Sequence, residues 1–129
     1  MANGGFAKPC LLCDKTVMII RDPRPNIMAM LLEKAAGAAA AGEVPVAAAV
    51  TDPEGAVIAL AQNRMRRDGS ALHHAEILVL AEALAQRGSE RLEDCDLWVT
   101  LEPCTMCAGA IAHVRIRRLY FAARDEKAG

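Results

Sequence analysis

Two short stretches carry side chains able to bind a metal ion and move a proton: His74-Ala75-Glu76 and Pro103-Cys104-Thr105-Met106-Cys107. Cys104 and Cys107 stand at positions i and i+3, so on a helix both thiols project to the same side. A helix N-terminus favours the thiolate, which is the form that binds metal. His74 adds an imidazole; one His with two Cys on zinc leaves the fourth position to water. Zinc can bring the pKa of that water down to about 7. Glu76 is not needed as a ligand, but it begins the same helical turn as His74. Its carboxylate can take the water's proton and pass it to a leaving group, the work of a general acid/base. Either stretch alone is a weak signal. Together, each opening a predicted helix, they point to metal-assisted hydrolysis rather than to two buried thiols and a surface histidine.

The elements that must position these groups follow from the hydrophobic pattern. Asp22-Pro23-Arg24-Pro25-Asn26 is a rigid stop, with Asn26 as the expected N-cap of a helix running from Ile27 to a stop at Gly42. Val44–Val50 and Ala56–Ala61 are short apolar runs across an Asp52-Pro53-Glu54-Gly55 turn, the pattern of an antiparallel hairpin. The stretch from Gln62 to Ser70, with Arg64, Arg66 and Arg67, is expected to be a solvated loop. His74–Gln86 is helical and stops at Gly88; Leu97–Leu101 is a strand; Pro103 fits the first turn of the next helix; Arg118–Ala122 is the last strand. A helix between consecutive strands implies parallel pairing late in the sheet and helices on both faces. As the last strand, Arg118–Ala122 is expected to be an unpaired edge.

Composition narrows the class further. A chain of 129 residues is one ordinary domain, and 53% hydrophobic residues supply a core. The core must be built from small side chains, because 26 alanines stand against one Trp, one Tyr and two Phe. A net charge of −1 gives no whole-protein basic footprint for nucleic acid. Locally, Ile111–Gly129 holds five cations (Arg115, Arg117, Arg118, Arg124 and Lys127) against Asp125 and Glu126, a segment that could meet phosphates. The five cysteines are odd in number and fit reduced thiols, some holding a metal, better than a disulfide framework. No apolar run approaches the ~18 residues needed to cross a bilayer, and the Leu11–Ile20 run is broken by Asp14 and Lys15. The expected location is the cytoplasm.

His-x-Glu followed by Pro-Cys-x-x-Cys is the signature of the zinc nucleobase deaminases. The resemblance extends to Gly42-Glu43-Val44-Pro45-Val46, Gln62-Asn63-Arg64, Val99-Thr100-Leu101-Glu102, Ala108-Gly109-Ala110, Arg115-Ile116-Arg117 and Ala123-Arg124-Asp125-Glu126-Lys127. From about Met28 onward the chain is similar to the bacterial tRNA-specific adenosine deaminases, within the zinc-dependent cytidine/deoxycytidylate deaminase superfamily. This implies a three-layer αβα, cytidine-deaminase-like α/β fold with a central mixed sheet, a homodimer, one Zn2+ per chain and conversion of adenosine to inosine at the wobble position of a tRNA anticodon loop. Carried over by position, His74, Cys104 and Cys107 hold zinc and Glu76 shuttles the proton. The Ala75 N–H lies at the reacting carbon, Asn63 contacts the nucleoside, Val46 lines the base pocket, and Asp125 is counted with the substrate-binding residues.

The domain division that follows is an N-terminal extension over residues 1–25 and a deaminase domain over residues 26–129. Cys10 and Cys13 are read as incidental thiols, Cys95 as a small buried hydrophobe, and His113 as a helix-surface residue. His73 is the rival to His74 as ligand, and the His-x-Glu spacing favours His74. Two other functions compete. A deaminase of free bases or nucleosides, such as guanine or cytosine, would use the same zinc machinery. A non-catalytic zinc scaffold would have no use for Glu76.

Overall fold

The structure is a computed structural model. It describes the backbone of residues 7–9, 18–20 and 25–26, and residues 27–124 in full. The elements in chain order are β1 (Ala7–Pro9), β2 (Met18–Ile20), α1 (Pro25–Ala40), β3 (Ala47–Thr51), β4 (Val57–Gln62), α2 (Met65–Asp68), α3 (Ala75–Arg87), β5 (Asp96–Leu101), α4 (Thr105–Val114) and β6 (Arg118–Ala123). They form one mixed sheet in the order β1-β2-β6-β5-β3-β4, with α1 on one face and α3 and α4 on the other. The α/β architecture read from the sequence is therefore present. So are the antiparallel β3–β4 hairpin and the parallel β5–β6 pair.

The alternation of side chains along the strands explains the layers. In β5, Leu97 and Val99 join the cluster under α3 and α4, while Trp98 points to the α1 side. In β3, Ala48 and Val50 face one way, Ala47 and Ala49 the other, and all five residues of the strand are buried. Covering both faces is what an uninterrupted apolar run requires. Turn chemistry ends the elements: Gly88 closes α3 in the left-handed region at φ 61°, where only glycine pays no Cβ penalty. Arg115 does the same for α4 at φ 64°, a position that carries no glycine signal.

Four expectations change. The last strand is not an edge, because β2 pairs with β6 in parallel, Met18 opposite Arg118 and Ile19 opposite Leu119. The helix α1 opens at Pro25, so Asn26 lies inside its first turn; Pro at the first helical position has no N–H and so removes one of the donors that the first turn cannot satisfy. The polar stretch after β4 is not all loop, since Met65–Asp68 forms α2. Pro103 precedes α4 instead of sitting in its first turn, with Cys104 as the N-cap. No helix among the described residues is long and apolar enough to cross a membrane.

Candidate active site

The N-termini of α3 and α4 meet above the carboxyl end of β5, and both open on a residue that is not a usual cap. His74 caps α3 at φ −71°, ψ 151° and Cys104 caps α4 at φ −74°, ψ 178°, neither with a side-chain hydrogen bond to its own helix. A Ser, Thr, Asp or Asn there is worth about 1 kcal/mol over a residue that cannot cap. The two helices forgo that, and their N-cap side chains turn toward each other instead.

The result is a three-atom cluster. His74 Nδ1 lies 3.7 Å from Cys104 Sγ and 3.6 Å from Cys107 Sγ, and the three ligand atoms all fall within 4.8 Å of one another. With Zn–S near 2.3 Å and Zn–N near 2.0–2.1 Å, a tetrahedral site sets sulfur and nitrogen about 3.6 Å apart. The donor set therefore fits zinc in type and in spacing. His73 is not part of it: its Nδ1 is 2.7 Å from Asp68 Oδ2, which turns the ring to the surface.

Glu76 stands on the first turn of α3, buried at 4% exposure. Burial first of all holds its carboxyl above the ordinary carboxylate value, and the Cys107 thiol is within hydrogen-bonding reach. Cys107 itself is pushed far up, by burial first and then by the neighbouring Glu76 and Cys104. Burial and these two neighbours oppose the thiolate that the helix N-terminus is expected to favour. A buried thiol beside a carboxylate and a second thiol needs a cation to ionise, which is what such a cluster is suited to hold.

The residues around the cluster divide into those the fold brings near and those it does not. Ala75, fully buried, is the first residue of α3, so its N–H is one of the donors that no turn of helix can satisfy. Asn63 is 3% exposed and follows β4; its N–H donates to the Val46 carbonyl at 3.0 Å, which ties the two residues together. The Asn63 Oδ1 accepts the Met65 N–H at 3.0 Å, which fixes the orientation of the amide. Val46 packs into the core cluster under α3. An open cleft of about 350 Å³ borders Asn63, Glu43, Arg66 and Arg67.

Asp125, Lys127, Cys10 and Cys13 lie outside the described residues. Cys95 is buried as expected, its thiol pushed up to about 11 by burial first, and His113 lies on the exposed side of α4. Arg117, read as a cation for phosphates, is instead engaged: its Nε and Nη2 donate to the two carboxylate oxygens of the buried Asp96, each at 3.0 Å. Arg124 stands 3.8 Å from Glu102. Sequence reasoning gave no role to Glu43, whose carboxylate accepts the backbone N–H groups of Arg66 and Arg67. Its partners are backbone donors of the short helix α2, and a sequence carries no mark of those.

Residues 22–123 match the family model of the cytidine and deoxycytidylate deaminase zinc-binding region. The chain is 47% identical over 106 residues to the tRNA-specific adenosine deaminase of Agrobacterium fabrum, covering 82% of this chain and 69% of that protein. A solved structure from work on A-to-I editing by tRNA:A34 deaminases at the wobble position superposes with a TM-score of 0.78 at 47% identity, over 82% of this chain and 81% of that one. The guanine deaminase of Bacillus subtilis gives a TM-score of 0.74 at 30% identity, over 78% of this chain and 64% of that one.

Proposed function

The chain belongs to the cytidine and deoxycytidylate deaminase family, and from that premise we propose that it is a zinc-dependent hydrolase converting adenosine to inosine at the wobble position of tRNA. The observation that carries the chemistry is the His74, Cys104 and Cys107 triangle, spaced as a zinc site is spaced, with Glu76 buried against it. The adenosine substrate is supported by the likeness to tRNA-specific adenosine deaminase. The same reading makes the protein a cytoplasmic homodimer that takes an anticodon loop, with one Zn2+ in each chain.

His74, Cys104 and Cys107 would hold the ion, and when bound it supplies the Lewis acidity that makes water a nucleophile near neutral pH. The reaction adds water across the C6=N1 bond of the purine and releases ammonia, so both water protons must move, one to the ring nitrogen as the oxygen attacks and the other to the departing amine. We assign both transfers to Glu76, whose burial suits a group that holds a proton for part of the cycle. The Ala75 N–H faces the developing charge from the start of α3, and Asn63 Nδ2 donates to the nucleoside while Val46 walls the base. Asp125 is assigned to the same substrate-binding group.

A second reading, deamination of free guanine, is favoured by the likeness to the Bacillus subtilis guanine deaminase. Ammonia release measured side by side on an anticodon-loop RNA, free adenosine, free cytosine and free guanine separates the two. Inosine in the RNA is the expected product. Brisk turnover of guanine with none on RNA at any salt concentration would give the protein to the second reading.

A further inference from the structure

Glu43 is a buried carboxylate, 9% exposed, that the chemistry above does not use. Its own backbone is anchored, because the Glu43 N–H donates to the Ala38 carbonyl at 2.9 Å and so ties it to the end of α1. Its side chain reaches across to α2: Oε1 accepts the Arg66 N–H at 3.2 Å and Oε2 the Arg67 N–H at 2.6 Å. The Arg66 guanidinium returns to the Gly42 carbonyl at 3.0 Å, which closes the clasp from the other side. The preceding donor of the same short helix, the Met65 N–H, is held by Asn63 Oδ1 at 3.0 Å. Three successive backbone donors of α2 are thus met by only two side chains, Asn63 and Glu43.

The segment so gripped leads directly to the site. Arg64 N–H donates to the His73 carbonyl at 3.0 Å, so the start of the segment is bonded to the residue just before the ligand His74. Asp68, the last residue of α2, holds the His73 ring at 2.7 Å. We propose that Glu43 is a positioning residue for substrate: by clasping the backbone of Arg66 and Arg67 it fixes α2, and through α2 it aims the Asn63 amide. This rests on the deaminase reading for the role of Asn63. Charge-assisted bonds to backbone N–H groups are about twice as strong as neutral ones, which suits a clasp bordering an open cleft.

Glu43→Gln tests the proposal, because an amide keeps one acceptor and sets an N–H against the second backbone donor. With an anticodon-loop RNA as substrate, KM should rise about tenfold while kcat stays within about threefold, the pattern of lost binding without lost chemistry. Zinc content should stay near that of the wild type, and the melting temperature should fall modestly because one buried donor is left unmet. In an Asn63→Ala background the same change should cost little, since Glu43 acts through Asn63. Equal penalties in both backgrounds, or an unchanged KM, would overturn the proposal. Glu43→Asp, which keeps the charge and withdraws it by one methylene, serves if Glu43→Gln fails to fold.

Amide hydrogen exchange tests the clasp independently of turnover. Protection at Arg66 and Arg67 should fall in Glu43→Gln, and protection at Met65 should fall with it, while β3 and β5 stay protected. Unchanged exchange at Met65 would break the link to Asn63. A wild type inactive on every adenosine substrate would instead count against the functional reading, and the exchange experiment would still decide the clasp.

Discussion

The two faces of the sheet are packed with different material. Under α1, Leu31 and Ala35 cover Trp98 and Tyr120, whose rings stack at 4.1 Å between centroids and 18° between planes. The Trp98 indole N–H is satisfied by Thr51 Oγ1 at 3.0 Å, which locks β5 to β3. Under α3 and α4, among the described residues, Phe121 is the one aromatic ring packed against the cluster and it is only partly buried; Ala, Val, Leu, Ile and Cys95 fill the rest. Small side chains let two helices approach until one imidazole and two thiols converge. One face thus spends its bulk on stability, and the other spends its caps and its buried polar groups on chemistry. Substitutions should separate along that line.

The strongest test is on the ligands. Cys104→Ala should lose zinc, activity and much of the stability, because metal binding at such sites is linked to folding with apparent free energies that reach about 10–16 kcal/mol in small zinc domains. Metal analysis beside a melting curve checks it. Full zinc occupancy in the variant would remove the site.

Glu76→Gln comes next and should leave zinc and substrate affinity intact. Turnover should fall by at least the roughly 10²–10⁴-fold typical of a lost general acid/base. Near-normal turnover would transfer the proton to another group. The stability effect has the opposite sign. Burial raises the Glu76 carboxyl above its ordinary value of 4.5, so the folded state loses stability as pH rises from that value through the raised one. Glutamine has no charge to bury, so the melting temperature of the metal-stripped variant should gain on that of the wild type over the same range.

Trp98→Ala probes the opposite face. Truncating a fully buried Trp should cost about 3–5 kcal/mol of stability. Below the lowered melting temperature, zinc content and KM should stay near wild type, as steady-state kinetics at low temperature would show. A specific loss of turnover there would mean that the two faces are coupled and the division is wrong.

The difference between the faces also marks what could be read from the sequence. The cluster of His74, Cys104 and Cys107 was legible because its spacing and chemistry are local: Cys104 and Cys107 share a helical turn, and His74 and Glu76 share another. The hairpin and the parallel β5–β6 pair followed from turn residues and from a helix lying between strands. What escaped depends on partners far along the chain. The Glu43 clasp joins residues 23 and 24 positions apart through backbone donors. The pairing of β2 with β6 joins the two ends of the described chain, and no periodicity announces it. The short helix α2 holds four residues, too few for a hydrophobic period. Arg117 looked like a phosphate contact only while its partner Asp96, which precedes it by 21 positions, was out of view.

The smallest effect is expected where two histidines sit side by side. Sequence alone left His73 as a rival ligand, but its ring bonds Asp68 at a pair whose side chains are 38% and 21% exposed. His73→Gln should therefore keep full zinc occupancy and change turnover by less than about threefold, since exposed pairs contribute little once solvent and salt screen them. The pair has a pH signature of its own. The bond to His73 is the leading cause that holds the Asp68 carboxyl below its ordinary value of 3.8. Its contribution is therefore present above that value and is lost as pH falls through the lowered one. Melting curves of His73→Gln and wild type should then run close together at every pH, with what separation there is confined to the range above 3.8 and closing below it. Loss of zinc in His73→Gln would make the second histidine a ligand and redraw the boundary between the chemical cluster and the surface beside it.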